Sequence, residues 1–232
     1  MSNSKESTLT IIVPCYNEED NVEATIKEIS ITNPSAIILI VDDHSSDKTP
    51  EIVKDLQTKN LYNLHLISNK ENLGYGGALV AGFLKIKTKY VAFVDADLTY
   101  GPKYLPEMEK IMNNQNLDVI WGNRFGGNIN EMPFIRKIGN RIISLTCLMM
   151  TRKWVSDCAS GMRIIKLESM SELDIQSLPN GLDMITAMTK RIIKRNLKYK
   201  LLPIDYLARG GQSKLNITSD FIHMMKNIVY EN

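Results

Sequence analysis

The chain has 232 residues, of which 44% are hydrophobic and 23% charged, with a formal net charge of +2 at neutral pH. That length accommodates one substantial core, and the composition excludes a disordered or fibrous chain. The near balance of charge offers no clustered basic face, so no nucleic-acid partner is expected and any phosphate binding has to be local.

The first residues are polar and lack the apolar stretch of a leader segment. Residues 8–13 read as a strand, followed by a polar turn and a helix with Val22, Ile26 and Ile29 on one face. Residues 36–41 repeat the pattern, leading through DDHSSD to a helix with Thr49 as N-cap and Pro50 in its first turn. A third strand is expected over 64–68, a small-residue helix from about 78 to 86 after the loop NKENLGYGG, and a fourth strand over 90–94. Strands alternating with helices predict an α/β chain with a Rossmann-like, mostly parallel sheet flanked by helices on both faces.

The second half is less regular. Pro102 opens a helix with Leu105, Met108, Ile111 and Met112 inward, and 118–121 makes a strand before GNRFGG. An amphipathic segment over 134–150 follows, then a strand at 163–166, a helix over 182–195, a strand over 198–204 and a last helix from 219. No run of about 18 apolar residues appears, so no membrane span is expected. Cys15, Cys147 and Cys158 show no CxxC spacing, which suggests neither a disulfide framework nor zinc and makes a reducing cytoplasm the expected setting.

Ligands of open parallel sheets bind beyond the carboxyl ends of the strands. PCYNEED, DDHSSD and DADLT all follow strands, so three polar loops converge on one edge. Asp95 and Asp97, one residue apart after an apolar strand, suit a hard cation such as Mg²⁺ or Mn²⁺, although the same pair also caps turns. Asp42, Asp43 and Glu18 are candidates for nucleotide contacts, with turn or helix-start roles as the alternative. Asp47 reads as a turn residue. Gly74, Gly76 and Gly77 resemble a phosphate loop without its Lys-Ser/Thr, and fit close backbone packing beside a nucleotide better than direct phosphate contact. Arg124, Arg163, Arg209 and Lys214, beside Gly- or Ser-rich turns, are the candidate phosphate cations.

In order, IIVPCYNEE, VDDHSSDKT, NLGYGGA, VDADL, GNRF, DCASGMR and RGGQSKLN resemble the motif series of family 2 glycosyltransferases of the GT-A fold. The branch most similar is that of dolichol-phosphate mannose synthases and related polyprenyl-phosphate sugar transferases. The resemblance implies one domain over 1–232, with a nucleotide-sugar half over about 8–125, an acceptor-side half over about 126–218 and a terminal helix at 219–232. It implies an inverting hexosyl transfer from a nucleotide-diphosphate sugar, of GDP-mannose or UDP-glucose type, to a polyprenyl or dolichyl phosphate, with a glycan or other alcohol as the alternative acceptor. It places Pro14, Tyr16 and Glu18, with Val41 and Asp43, around base and ribose. Asp95, Ala96 and Asp97 become the DxD element, Asp97 the more direct ligand of Mg²⁺ or Mn²⁺. Arg124 faces phosphates, and Arg209 and Lys214 close over the diphosphate. Two features depart from the mannose synthases: Thr99 stands where they commonly have Gln, and RGGQSK is one residue shorter than their RxxGxSK.

An alcohol acceptor would require a base, for which Asp157 is the candidate, the alternative being a turn residue that orients Arg163. A lipid-phosphate acceptor would need none. The segment 134–154, with cations flanking apolar residues, reads either as a peripheral membrane contact at the cytoplasmic face or as a core-facing helix. Two rivals compete: a sugar-1-phosphate nucleotidylyltransferase, which would open with a Gly-rich basic loop, and a non-catalytic nucleotide-sugar-binding protein, which would have a broken carboxylate pair.

Overall fold

The computed structural model describes residues 7–207 and 217–230. Arg209 and Lys214 therefore lie outside the described residues. The first half alternates as expected: β1 Leu9–Cys15, α1 Val22–Thr32, β2 Ile37–Asp42, α2 Thr49–Thr58, β3 Leu64–Ser68, α3 Gly74–Phe83 and β4 Tyr90–Phe93. The second half supplies α4 Leu105–Gln115, β5 Val119–Asn123, α5 Phe134–Thr151, β6 Arg163–Lys166, α6 Met170–Leu173, α7 Met184–Lys194, β7 Tyr199–Pro203 and α8 Ile217–Tyr230.

Among the described residues the strands form one sheet in the order β3-β2-β1-β4-β6-β5-β7. All pairings are parallel except those of β6, which runs antiparallel to both β4 and β5. The sheet is covered on both faces, which is why its central strands are continuous apolar runs. Alternate side chains along each strand point to opposite faces. Ile11, Val13, Ile38 and Ile40 thus join Val22, Ile26, Val53, Leu105 and Met108 of α1, α2 and α4. Ile12, Leu39, Val41, Val91 and Phe93 join Leu79, Ile143, Ile185 and Met188 of α3, α5 and α7.

Two boundaries differ from the sequence reading for identifiable reasons. The α3 helix starts at Gly74 rather than near residue 78, so the glycines are its first turn and not a preceding loop. Thr49 is already helical; Asp47 accepts from its backbone N–H at 2.9 Å through Oδ1, while the Thr49 hydroxyl accepts from the Glu18 N–H at 2.8 Å. Asp47 also accepts from Glu19 N through Oδ2, so the first two polar loops are tied together.

Candidate active site

Every motif singled out in the sequence and lying within the described residues arrives at the sheet edge formed by the ends of β1, β2 and β4. The antiparallel sense of β6 matters here, because it places the start of that strand, with Ser160 to Arg163, beside the end of β4. A cavity of about 260 Å³ opens at this edge. Its walls include Pro14, Tyr16 and Glu18 from the first loop, Asp43 from the second, Gly74 and Tyr75 from α3, and Asp95, Ala96 and Asp97 after β4.

Both oxygens of Asp95 are engaged by phenols. Tyr75 donates to Oδ1 at 2.8 Å, and Tyr100 donates to Oδ2. Burial, followed by the neighbouring charge of Asp97, pushes Asp95 up to about 6, against the two phenol bonds that favour its ionised form. The phenols are themselves raised well above their ordinary value, first by burial and then by Asp95. Room for this cluster comes from Gly161 of DCASGMR: a Cβ there would lie 2.3 Å from the Tyr100 hydroxyl oxygen and 3.0 Å from Asp95 Oδ2.

Asp97 is set by a tight turn. Leu98 adopts φ +56°, a left-handed conformation unusual for a branched side chain, and the turn lets Thr99 donate to Asp97 Oδ1 from its N–H at 3.0 Å and from its hydroxyl. Thr99, which stands where the mannose synthases commonly have Gln, is buried and orients Asp97. The loop is pinned from both sides, by Thr25 of α1 donating to the Ala96 carbonyl and by Leu207 N donating to the Thr99 carbonyl.

The second loop and the glycines serve each other. Asp43 accepts from the Asn69 side chain, Leu73 N and Gly74 N, so its carboxylate organises the entry to α3 as well as lining the cavity. Gly76 N and Gly77 N donate to the Asn180 carbonyl, and a Cβ at Gly76 would lie 2.2 Å from the Pro179 carbonyl oxygen. The close backbone packing expected of these glycines is made against the 179–181 turn, while Gly74 also lines the cavity. Val41, expected in the donor pocket, points its side chain into the core, where its Cγ2 would meet a Cβ at Gly82 at 3.2 Å.

Arg124 and Asp157 form a buried pair. The Asp157 carboxylate accepts from Arg124 Nε at 2.8 Å, Nη2 at 2.7 Å and the backbone N at 3.0 Å, and from Ala159 N at 3.3 Å. Burial alone would weaken the charge on Arg124, but Asp157 outweighs it and holds the guanidinium above its ordinary value. Asp157 is fully buried and does not line the cavity. Its cation is Arg124, not Arg163. Arg163 is also fully buried, donating to the Ser160 and Cys158 carbonyls and to the Thr189 hydroxyl, with its guanidinium 5.1 Å from the Trp121 ring centroid. Burial pulls it down to about 10, so it remains charged at neutral pH and shapes the 158–163 turn from below rather than reaching a ligand.

The carboxylate pair suits a divalent cation. Asp95 and Asp97 both face the cavity and are hard oxygen donors, and among the described residues no cluster of three His, Cys, Asp or Glu exists. A protein that contributes so few ligands leaves most of the coordination shell to substrate phosphates and water, as Mg²⁺ and Mn²⁺ sites on nucleotide enzymes do.

Residues 10–174 match the family described as glycosyl transferase family 2, well over half of the chain. The protein belongs to family 2 of the glycosyltransferases. Among curated relatives, it is 27% identical over 219 residues to a low-salt glycan biosynthesis hexosyltransferase of Haloferax volcanii, covering 92% of this chain but only 51% of the relative. The chain thus spans about half the length of that relative. A dolichyl-phosphate hexose transferase of the same organism is 27% identical over 222 residues, covering 95% and 92% of the two chains. Among solved structures, glucosyl-3-phosphoglycerate synthase from Mycobacterium tuberculosis, in complex with Mn²⁺, UDP and glucosyl-3-phosphoglycerate, superposes with a TM-score of 0.73 at 15% identity, covering 96% of this chain and 78% of that one. That likeness shows that this family 2 chain has the GT-A type of fold.

Tyr75, Tyr100 and Gly161 escaped the reading of the sequence as site residues. Tyr75 and Gly161 lie inside motifs that were noticed and Tyr100 directly follows one, yet the role of each exists only between motifs that meet in space.

Proposed function

We propose that the protein transfers a hexose, with inversion, from a nucleotide-diphosphate sugar to a polyprenyl or dolichyl phosphate, with Mg²⁺ or Mn²⁺ as cofactor. The observation that carries the reading is the cavity at the ends of β1, β2 and β4, with its intact carboxylate pair. Pro14, Tyr16 and Glu18 would receive base and ribose, with Asp43 fixing the loop behind them. Asp97, steered by Thr99, and Asp95, held by two phenols, would hold the cation. Bound there, the cation would neutralise charge on the departing nucleoside diphosphate.

In the transfer, an acceptor phosphate oxygen forms the bond to the anomeric carbon as the bond from that carbon to the donor's diphosphate breaks. A phosphate acceptor is already anionic at neutral pH and needs no base. This agrees with Asp157, whose carboxylate is turned to Arg124; its proposed role is to aim that cation toward phosphate. Arg209 and Lys214 complete the proposal, supported by the anchoring of Leu207, two residues before Arg209, to the DxD loop. The name of the dolichyl-phosphate hexose transferase relative supports the lipid-phosphate acceptor. Among the described residues no helix is long and apolar enough to cross a membrane. A lipid-phosphate acceptor implies a contact with the membrane, here proposed as peripheral and at the cytoplasmic face.

The test is a panel of UDP-, GDP- and dTDP-sugars with Mn²⁺ or Mg²⁺, scoring nucleoside diphosphate release with and without polyprenyl phosphate. Metal-dependent release stimulated by the lipid phosphate is expected. Release stimulated only by sugar alcohols would favour the glycan acceptor, and release from no donor would leave a binding protein.

A further inference from the structure

The α5 helix is apolar on two faces, and among the described residues only one of them is covered. Ile143 and Cys147 pack into the core, and on the side of α8, Gly139 approaches Phe221. On the opposite side Phe134, Ile138, Ile142, Leu145 and Met149 recur at helical spacing and are 42–76% exposed. Trp154, just beyond the helix, is 52% exposed. A contiguous apolar stripe of this kind marks an interaction surface rather than scattered surface residues.

The charges around the stripe indicate what covers it. Residues 134–154 contain Arg136, Lys137, Arg141, Arg152 and Lys153 and no carboxylate. Lys137 and Arg141 border a groove of about 430 Å³ whose floor is Phe125, Ile138, Ile142 and Leu145. The Arg141 guanidinium lies 4.1 Å from the Phe125 ring centroid, so this surface begins one residue from Arg124. A second copy of the chain docking through the same face about a two-fold axis would set these cations against each other. An anionic layer with an apolar interior matches both features at once.

We infer that the exposed α5 face and Trp154 form a docking surface for the anionic headgroup layer of a phospholipid bilayer. The apolar stripe enters the headgroup–acyl boundary while Lys137, Arg141, Arg152 and Lys153 meet lipid phosphates. The inference rests on the peripheral contact proposed above and names its surface; its test uses neither donor nor acceptor, so its failure leaves the proposed transfer standing. If both are right, docking turns the Arg124 side of the site toward the bilayer.

Flotation of the full chain with vesicles tests it without donor or metal. Phosphatidylcholine mixed with phosphatidylglycerol is expected to carry the protein, and phosphatidylcholine alone to carry much less, with binding weakening as salt rises. Lys137→Gln combined with Arg141→Gln is expected to lower the partition coefficient about five-fold per cation removed. Ile138→Gln combined with Leu145→Gln, which alters no charge and replaces exposed side chains, is expected to lower it about ten-fold or more while the circular dichroism spectrum stays unchanged. Equal binding to both vesicle types, absence of binding, or parental binding by the Ile138/Leu145 variant would each overturn the inference. So would a sedimenting dimer that the same variant dissociates.

Discussion

The Asp95 cluster makes the most specific claims about single residues. Because the cation requires ionised carboxylates, protonation of Asp95 competes with metal. Its value near 6 is raised by burial and by Asp97, so affinity for Mn²⁺ should be flat above that pH and fall about ten-fold per unit below it. The sign for the phenols follows from the same arrangement. Both bonds favour the ionised carboxylate, so Tyr75→Phe or Tyr100→Phe should move the midpoint to higher pH and weaken Mn²⁺ binding by about 10- to 100-fold at neutral pH, the usual effect of removing a group that orients a ligand. Electron paramagnetic resonance titration of Mn²⁺ at saturating nucleoside diphosphate, compared between the parent and the phenylalanine variants, reads both quantities without turnover, and an unmoved midpoint would show the phenols to be packing only. Asp157→Asn is a second case. If Asp157 aims Arg124, the variant should lose about 3 kcal/mol of stability from the uncompensated buried cation and a share of turnover, with the pH profile of kcat unchanged in shape. Loss of a basic ionisation from that profile would return Asp157 to the role of base. The carboxylate pair was legible because Asp-x-Asp after an apolar strand is a local pattern. The Arg124–Asp157 pair was not, since its members lie 33 residues apart and meet only through strand pairing.

At the scale of elements, the period-two and period-3.6 patterns were enough to locate the strands and helices of the first half to within a few residues. The start of α3 is the instructive exception. A glycine-rich stretch reads as loop by propensity, yet Gly76 and Gly77 are helical because the 179–181 turn supplies a carbonyl to their N–H groups and leaves no space for side chains. Two glycines of the same helix should therefore answer substitution differently. Gly76→Ala would drive a Cβ to 2.2 Å from a backbone oxygen that cannot yield, costing about 2–3 kcal/mol. At Gly82 the nearest atoms are the Cδ1 and Cγ2 methyls of Ile12, 3.0 Å away, side-chain atoms that need give only a few tenths of an ångström, and the helix propensity that alanine recovers, about 1 kcal/mol, offsets that cost. Urea denaturation should find Gly82→Ala close to neutral, and equal losses at both positions would disprove the distinction. The direction of β6 was equally hidden. Four residues of strand carry no signal for parallel or antiparallel pairing, and the resemblance to the family located the motif without explaining why it lies at the site.

For the molecule as a whole, the sheet acts as a device for delivering distant loops to one edge. β1, β2, β4 and β5 end there, and β6 begins there, so the sequence order of the motifs is unrelated to their proximity. The two apolar layers on either side of the sheet contain neither Asp95 nor Asp97, which lie at the rim beside the cavity. Stability and metal should therefore be uncoupled until a nucleotide is present. A chelator is expected to leave the unfolding midpoint of the free protein unchanged. Nucleoside diphosphate should bind weakly alone and tightly with Mn²⁺, because its phosphates supply the ligands that Asp95 and Asp97 lack. At a free concentration of about a hundred times Kd, the pair would stabilise the fold by about 2.7 kcal/mol. For a chain of this size that corresponds to a rise of about 5–10 °C in the midpoint. Thermal melts with Mn²⁺ alone, with UDP or GDP alone, and with both separate the cases: only the combination should produce the full shift. A large shift with metal alone would mean that the protein provides a nearly complete coordination shell, and the donor's phosphates would then not be the missing ligands.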